Sequence, residues 1–170
     1  KTLRPYHIKG TRQGGGGKMI TWSCIIYYGP GDACRLPDKI SAVTYFEVLR
    51  GYVFASRDHN FMNPAKFKFQ QDNAGIHTAK ITRDFIKKSK IPVIEWPANS
   101  PDLNPIETVW AHLKKQLDRY LNAPRNMDEL WERVQDIWTE ITPEYLRKLY
   151  ESMPRRMKEL YHAKGDHIKY

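Results

Sequence analysis

Cysteine is nearly absent from this chain, and long apolar runs are absent altogether. Two cysteines, Cys24 and Cys34, stand among 170 residues. That count excludes a disulfide framework and a four-cysteine zinc site, and it points to an intracellular setting. No run approaches the roughly 18 apolar residues that a membrane helix needs, so no membrane partner is expected. No secretory signal pattern opens the chain. Its first residue is Lys1 rather than Met, as in a piece of something longer. Internal repeats and coiled-coil heptads are missing too. Residues 1–20 contain no acid.

What is there fits one α/β domain. A length of 170 residues falls within the ~100–200 of a single domain. The 41% hydrophobic and 12% aromatic content argues against disorder. Lys and Arg number 28 against 19 acids, a net charge of +9. The excess is uneven. Lys1, Arg4, Lys9, Arg12 and Lys18 crowd the first twenty residues, and Lys80, Arg83, Lys87, Lys88 and Lys90 face a single Asp84. Residues 128–141 reverse the sign, with Asp128, Glu129, Glu132, Asp136 and Glu140 against Arg133. Such patches suit a polyanion-binding protein. A well-solvated surface would look the same, and charge alone does not decide between them.

Patterning predicts the elements. Residues 18–28 are β-branched and aromatic, a strand, with a turn at Gly29-Pro30-Gly31 and a return over 32–36. From Ser41, Tyr45, Val48, Leu49, Tyr52 and Val53 fall on one helical face. A short strand with Phe67 and Phe69 ends at Asp72. A helix over 78–90 turns Ile81 and Phe85 inward, and a strand over 91–96 leads into a Pro-rich loop, Pro97 to Pro105. Three helices follow, starting at Asn104, near Asn126 and at Thr142-Pro143, with Pro154 breaking the last. This order predicts an α/β domain with a helical tail.

Several residues invite chemistry. Gly14 to Gly17 and Lys18 suggest a phosphate loop, but Arg12 replaces its first glycine and Met19 its hydroxyl. The loop also precedes a strand, so a flexible basic segment along a DNA backbone is preferred. Cys24 and Cys34 sit on the two hairpin arms and read as buried free thiols. Asp72 ends an apolar strand, where open α/β sheets place ligand-binding groups, yet Asp72-Asn73-Ala74-Gly75 is also a good turn. Glu107 stands three residues after Asn104, the place of an ordinary capping-box glutamate. By position alone, the structural reading of each acid is the stronger.

Their flanks change the balance. The run Gln70 to Ala79 (QQDNAGIHTA), the 34 residues between Asp72 and Glu107, and the run Ser100 to Glu107 (SPDLNPIE) with Trp110 and Leu113-Lys114 form one pattern. It resembles the Tc/mariner superfamily of DDE transposases, and within it the Tc-type branch. The Gly-rich stretch before the Met19–Cys24 strand, Trp96-Pro97 and the segment Ser152 to Arg156 fit the same family, so the likeness covers almost the whole chain.

The resemblance implies an RNase H-like mixed sheet with flanking helices, in which three carboxylates hold two Mg²⁺ (or Mn²⁺) ions for in-line displacement at phosphorus. Asp72 would be the second acid and Glu107 the third. Asn73 and His77 are candidates to stand behind them. Whether His77 orients a carboxylate, touches DNA or caps the next helix is open, with the structural role preferred. Arg12, Lys18, Lys80, Arg83, Lys87 and Lys88 are the expected DNA contacts. The partners implied are double-stranded DNA, as transposon ends and target, and a second copy of the protein, in the nucleus.

One departure matters. The first catalytic Asp of this family lies on a central first strand upstream of the Gly-rich segment, and the chain begins after it. Asp32 and Asp38 are poor substitutes, falling in or after the hairpin return. The expected organisation is therefore a partial catalytic domain over 1–125 and a C-terminal helical extension over 126–170. The leading functional expectation is a transposase catalytic-domain fragment for cut-and-paste DNA transposition. The alternative is a non-catalytic transposase remnant that binds DNA or protein. A retroviral-integrase-like enzyme fits the spacing, but the Asp-Asn and Ser-Pro-Asp-Leu-Asn-Pro contexts argue against it.

Overall fold

A computed structural model describes residues 7–9, 18–60, 63–97 and 100–162. They group into two compact units: one from residues 7–9, Lys18–Cys24 and the chain from Gly31 to residue 97, the other from Ile25–Pro30 and the chain from Ser100. The expected Gly14 to Gly17 loop and Arg12 lie outside the described residues.

β1 (His7–Lys9) pairs antiparallel with β2 (Lys18–Ile26), His7 opposite Ile20. β3 (Gly29–Leu36) completes the order β1-β2-β3. The hairpin turns at Tyr27–Tyr28, two residues before the expected Gly29-Pro30-Gly31. Those three residues belong to β3 instead. Pro30 is tolerated because β3 is an edge among the described strands. Gly31 serves close packing: a Cβ there would run into Cys24 Sγ and lie 3.0 Å from Ser56 Cβ.

α1 (Ala42–Val48) opens with a capping box, in which Ser41 Oγ accepts the Thr44 N–H at 3.1 Å. It continues through a π-helical stretch, Leu49–Val53, into α2 (Phe54–His59). The predicted face is the buried one: Tyr45, Leu49 and Val53 form a core with Phe67, Ile86 and Ile91. α3 (Lys80–Lys88) corrects part of its expected orientation: Thr82 and Ile86 face inward and Ile81 is exposed, while half-buried Phe85 packs against the core as expected. Thr82 can be buried because its hydroxyl donates to the Ile76 carbonyl at 2.8 Å. Phe85 also meets Phe46 edge to face, 5.4 Å between centroids.

The expected strands over 67–72 and 91–96 contract to a single parallel bridge, Phe69 opposite Val93. Phe69 donates to the Pro92 carbonyl and accepts from Ile94 N–H, both at 2.8 Å. Two segments alone form a weak ladder, and a strand needs further neighbours to extend. α3 ends with Lys90 in the left-handed region, φ 52°, and Ile91 N–H reaches back to the Ile86 carbonyl at 3.1 Å. That closure is a Schellman motif, with Ile86 and Ile91 both in the core.

The second unit is mainly helical. A 3₁₀ turn (Pro101–Leu103) precedes α4 (Pro105–Leu117), α5 (Met127–Thr139), α6 (Pro143–Glu151) and α7 (Met153–His162). Asn104, Asn126 and Thr142 are the N-caps, as the sequence predicts. Val109, Leu113, Val134 and Leu146 are almost fully buried. Each contributes roughly 1.5–3 kcal/mol of hydrophobic stabilisation. Trp110 and Trp138 lie against each other at 5.6 Å. The break between α6 and α7 falls at Ser152, two residues before Pro154.

Candidate active site

Asp72 sits in the loop that leaves the Phe69 bridge, and the loop is built around its carboxylate. Oδ1 accepts the Ala74 N–H at 2.9 Å, an Asx turn that the Asp-Asn-Ala-Gly sequence favours. The same oxygen lies 2.5 Å from His77 Nδ1. Both bonds fall on Oδ1, which leaves Oδ2 open to a further ligand, and the side chain is 33% exposed. Burial alone would raise the Asp72 pKa. The His77 and Ala74 hydrogen bonds and the histidine charge outweigh it, so the carboxyl is held below its ordinary range.

His77 is only 17% exposed and is itself held in place. The Tyr45 ring packs over it at 4.2 Å between centroids. The Tyr45 hydroxyl donates to Gln71 Oε1 at 2.8 Å, and Gln71 Nε2 donates to the His77 carbonyl at 3.4 Å. Burial, with Asp72 nearby, pushes the Tyr45 phenol upward, so it remains a neutral donor. Ala79 occupies the α3 N-cap, so capping is not what His77 does there. Asn73 points elsewhere, donating to the Trp96 carbonyl at 2.9 Å. Asp72, Asn73 and His77 are thus brought together in one loop. Tyr45 and Gln71 were missing from the sequence-derived set. Tyr45 reads as a core aromatic, and Gln71 shows its partner only in three dimensions.

Glu107 belongs to the second unit, half-buried in the first turn of α4. Asn104 caps that helix, Pro105 fills N1, and Glu107 N–H donates to the Asn104 carbonyl at 3.1 Å. A carboxylate at a helix N-terminus is favoured by the helix dipole. Thr108, the next residue, accepts the Tyr145 hydroxyl on its carbonyl at 3.5 Å and Arg156 Nη2 on its hydroxyl at 3.2 Å.

Lys80, Arg83, Lys87 and Lys88 are all exposed on α3, on the side opposite Thr82 and Ile86. Lys18 is exposed at the start of β2. Asp32 is engaged structurally: it accepts the Ser56 hydroxyl at 2.9 Å, and its own N–H donates to Ser56 Oγ at 2.8 Å. Cys24 and Cys34 are free thiols, both pushed up to about 11 by burial. Among the described residues, no three His, Cys, Asp or Glu side chains form a metal-binding group.

Comparison with known proteins extends this geometry. The DDE superfamily endonuclease model matches residues 59–131, a span that holds both acids. The Tc3 transposase of Caenorhabditis elegans is 32% identical over 94% of this chain, and the Tcb2 transposase of Caenorhabditis briggsae is 30% identical over 97%. The chain belongs to the Tc/mariner DDE transposases. It spans 48% of the Tc3 relative and 59% of the Tcb2 relative. The catalytic domain of Mos1 mariner transposase shares its α/β fold, with a TM-score of 0.79 at 20% identity over 89% of this chain and 76% of that one. A Mos1 paired-end complex with the left transposon end matches at 0.79 and 18% identity, over 99% of this chain and 52% of that one.

Proposed function

We propose that this Tc/mariner chain supplies Asp72 and Glu107 as two of the three metal-holding carboxylates of an RNase H-like domain that cuts and joins DNA. The observation that carries this reading is the Asp72 loop. A carboxylate kept ionised, with Oδ1 taken by His77 and Ala74 and Oδ2 left open, is suited to a hard divalent cation. Oxygen donors of this kind fit Mg²⁺ or Mn²⁺, and such an ion supplies Lewis acidity toward phosphoryl oxygens and attacking water when bound. Asp72 would hold it through Oδ2, with Glu107 as a second ligand. His77 fixes the carboxylate plane through Nδ1–H, and Tyr45 and Gln71 fix His77.

On this reading the third carboxylate would come from a central strand outside the described residues. The Phe69–Val93 bridge supports this, since it lies outside the β1-β2-β3 sheet and has no strand partner beyond itself among the described residues. The exposed face of α3, with Lys18 and Arg12, would contact phosphates of double-stranded DNA. Mos1 paired-end complexes support a dimer that holds transposon ends.

The experiment is a strand-nicking assay on transposon-end DNA with the complete transposase and the 170-residue chain side by side. The complete protein should nick with Mg²⁺ or Mn²⁺, and Asp72→Ala or Glu107→Ala should abolish nicking. The chain alone should be inactive, because one metal lacks a protein anchor. Cleavage by the short chain that is lost on Asp72→Ala would assign the third ligand to a residue here, and Asp32 would be the first to test. A complete protein without metal-dependent nicking would favour the remnant reading.

A further inference from the structure

Arg156 is 3% exposed, and the chemistry proposed above does not use it. Its fork spans two elements. Nε donates to Ser152 Oγ at 2.9 Å, at the corner between α6 and α7, and Nη2 donates to Thr108 Oγ1 at 3.2 Å, in the first turn of α4. Ser152 is in turn anchored, donating to the Leu149 carbonyl at 2.6 Å. The Tyr145 hydroxyl holds the Thr108 carbonyl from α6. The residue directly after Glu107 is therefore tied by side chain and by main chain to the last two helices.

We propose that Arg156 is a positioning residue for Glu107, acting through Thr108; this rests on the reading of Glu107 as a metal-holding carboxylate. The first turn of a helix lacks part of its intrahelical hydrogen bonding and is where helices fray. An acid placed there keeps a fixed direction only if outside groups hold that turn. A guanidinium suits the task because its planar fork bonds two acceptors at once, which a lysine ammonium on a flexible stem does less well. A buried cation is costly unless hydrogen-bonded, and the Ser152 and Thr108 hydroxyls each accept from this one. The helical tail thereby becomes part of the catalytic apparatus.

The rival explanation is that Arg156 only helps the tail to fold. The test uses the complete transposase with Arg156→Gln, Thr108→Val and the double variant. Thermal unfolding, backbone hydrogen exchange along α4 and kcat against KM for transposon-end DNA are measured. Exchange at the Glu107 and Thr108 amides should rise about 10-fold in each single variant, with Leu113 to Gln116 unchanged. The double variant should be no worse than the worse single one, as expected for one shared interaction. kcat should fall about 10-fold with KM for DNA unchanged. Faster exchange spread evenly over α4 to α7, additive effects, or unaltered exchange at Glu107 would each overturn the proposal. If Arg156→Gln fails to fold, Thr108→Val decides alone, and unaltered first-turn exchange in it refutes the idea. Wild-type protein without metal-dependent nicking would sink the catalytic reading, whereas the exchange cycle judges the Arg156–Thr108 link by itself.

Discussion

His77 Nδ1 lies 2.5 Å from Oδ1 of Asp72, the oxygen that also accepts the Ala74 N–H. The pair fixes the imidazole tautomer, because Nδ1 must carry the proton it shares with the carboxylate. It also decides which carboxylate oxygen stays available.

Removing the imidazole should raise the Asp72 pKa. Burial, which favours the neutral acid, remains in His77→Ala, while the largest opposing interaction is gone. Because the folded pKa lies below the unfolded value of about 3.9, this carboxyl contributes stability above that pH and loses it as pH falls through the folded value. The variant should lose that contribution at a higher pH. A carbon-detected NMR titration of Asp72 in metal-free protein measures the shift. Metal affinity should drop about 10–100-fold, as for other groups that orient a ligand. An unmoved Asp72 pKa would show that the hydrogen bond carries no weight.

Lys90 should be replaceable with profit to stability. Its φ of 52° is a conformation that costs a side chain about 1–2 kcal/mol and glycine little. After subtraction of the glycine entropy cost, Lys90→Gly should stabilise by about 0.5–1 kcal/mol, a rise of about 1–4 °C in melting temperature. Calorimetry tests it. A fall in melting temperature would mean that the Lys90 side chain is worth more than its backbone strain.

DNA binding should be steeply salt-dependent and nearly indifferent to sequence. Lys80, Arg83, Lys87 and Lys88 can neutralise phosphates from one face of α3, and no recognition helix is evident among the described residues. Each lost phosphate contact should flatten the log K against log salt slope by about 0.9. Changing all four to Gln and titrating unrelated duplexes between low and physiological salt measures this. An unchanged slope, or tight sequence-selective binding, would contradict the assignment.

Much of the second unit was legible because its signals are local. Asn104-Pro105, Asn126 and Thr142-Pro143 mark helix starts whatever the tertiary context. The first unit was harder where distant contacts decide. Gly31 resembles a turn glycine, but its partner is Cys24 Sγ across the hairpin. Thr82 reads as a surface residue until Ile76 supplies an acceptor, and that substitution of partners rotates α3 away from Ile81. The strands around Phe69 and Val93 were visible as apolar runs, but their extent depends on neighbours that such a run does not reveal. In the site, the motif marked Asp72 and Glu107. The bracing by Tyr45, Gln71, Thr108 and Arg156 follows from contacts 26 to 48 residues apart, or from a stacked ring, and no local spacing announces it.

Asp72 and Glu107 are proposed to hold a shared metal. Iron-mediated hydroxyl-radical cleavage of the complete transposase tests it most directly, with Fe²⁺ substituting for Mg²⁺ and the cut sites mapped by mass spectrometry. Backbone cuts should cluster near both Asp72 and Glu107, disappear together on competition with excess Mg²⁺, and be lost at both places in either Asp72→Ala or Glu107→Ala. Cuts near only one of the two acids, or cuts at Glu107 that persist in Asp72→Ala, would contradict the shared site.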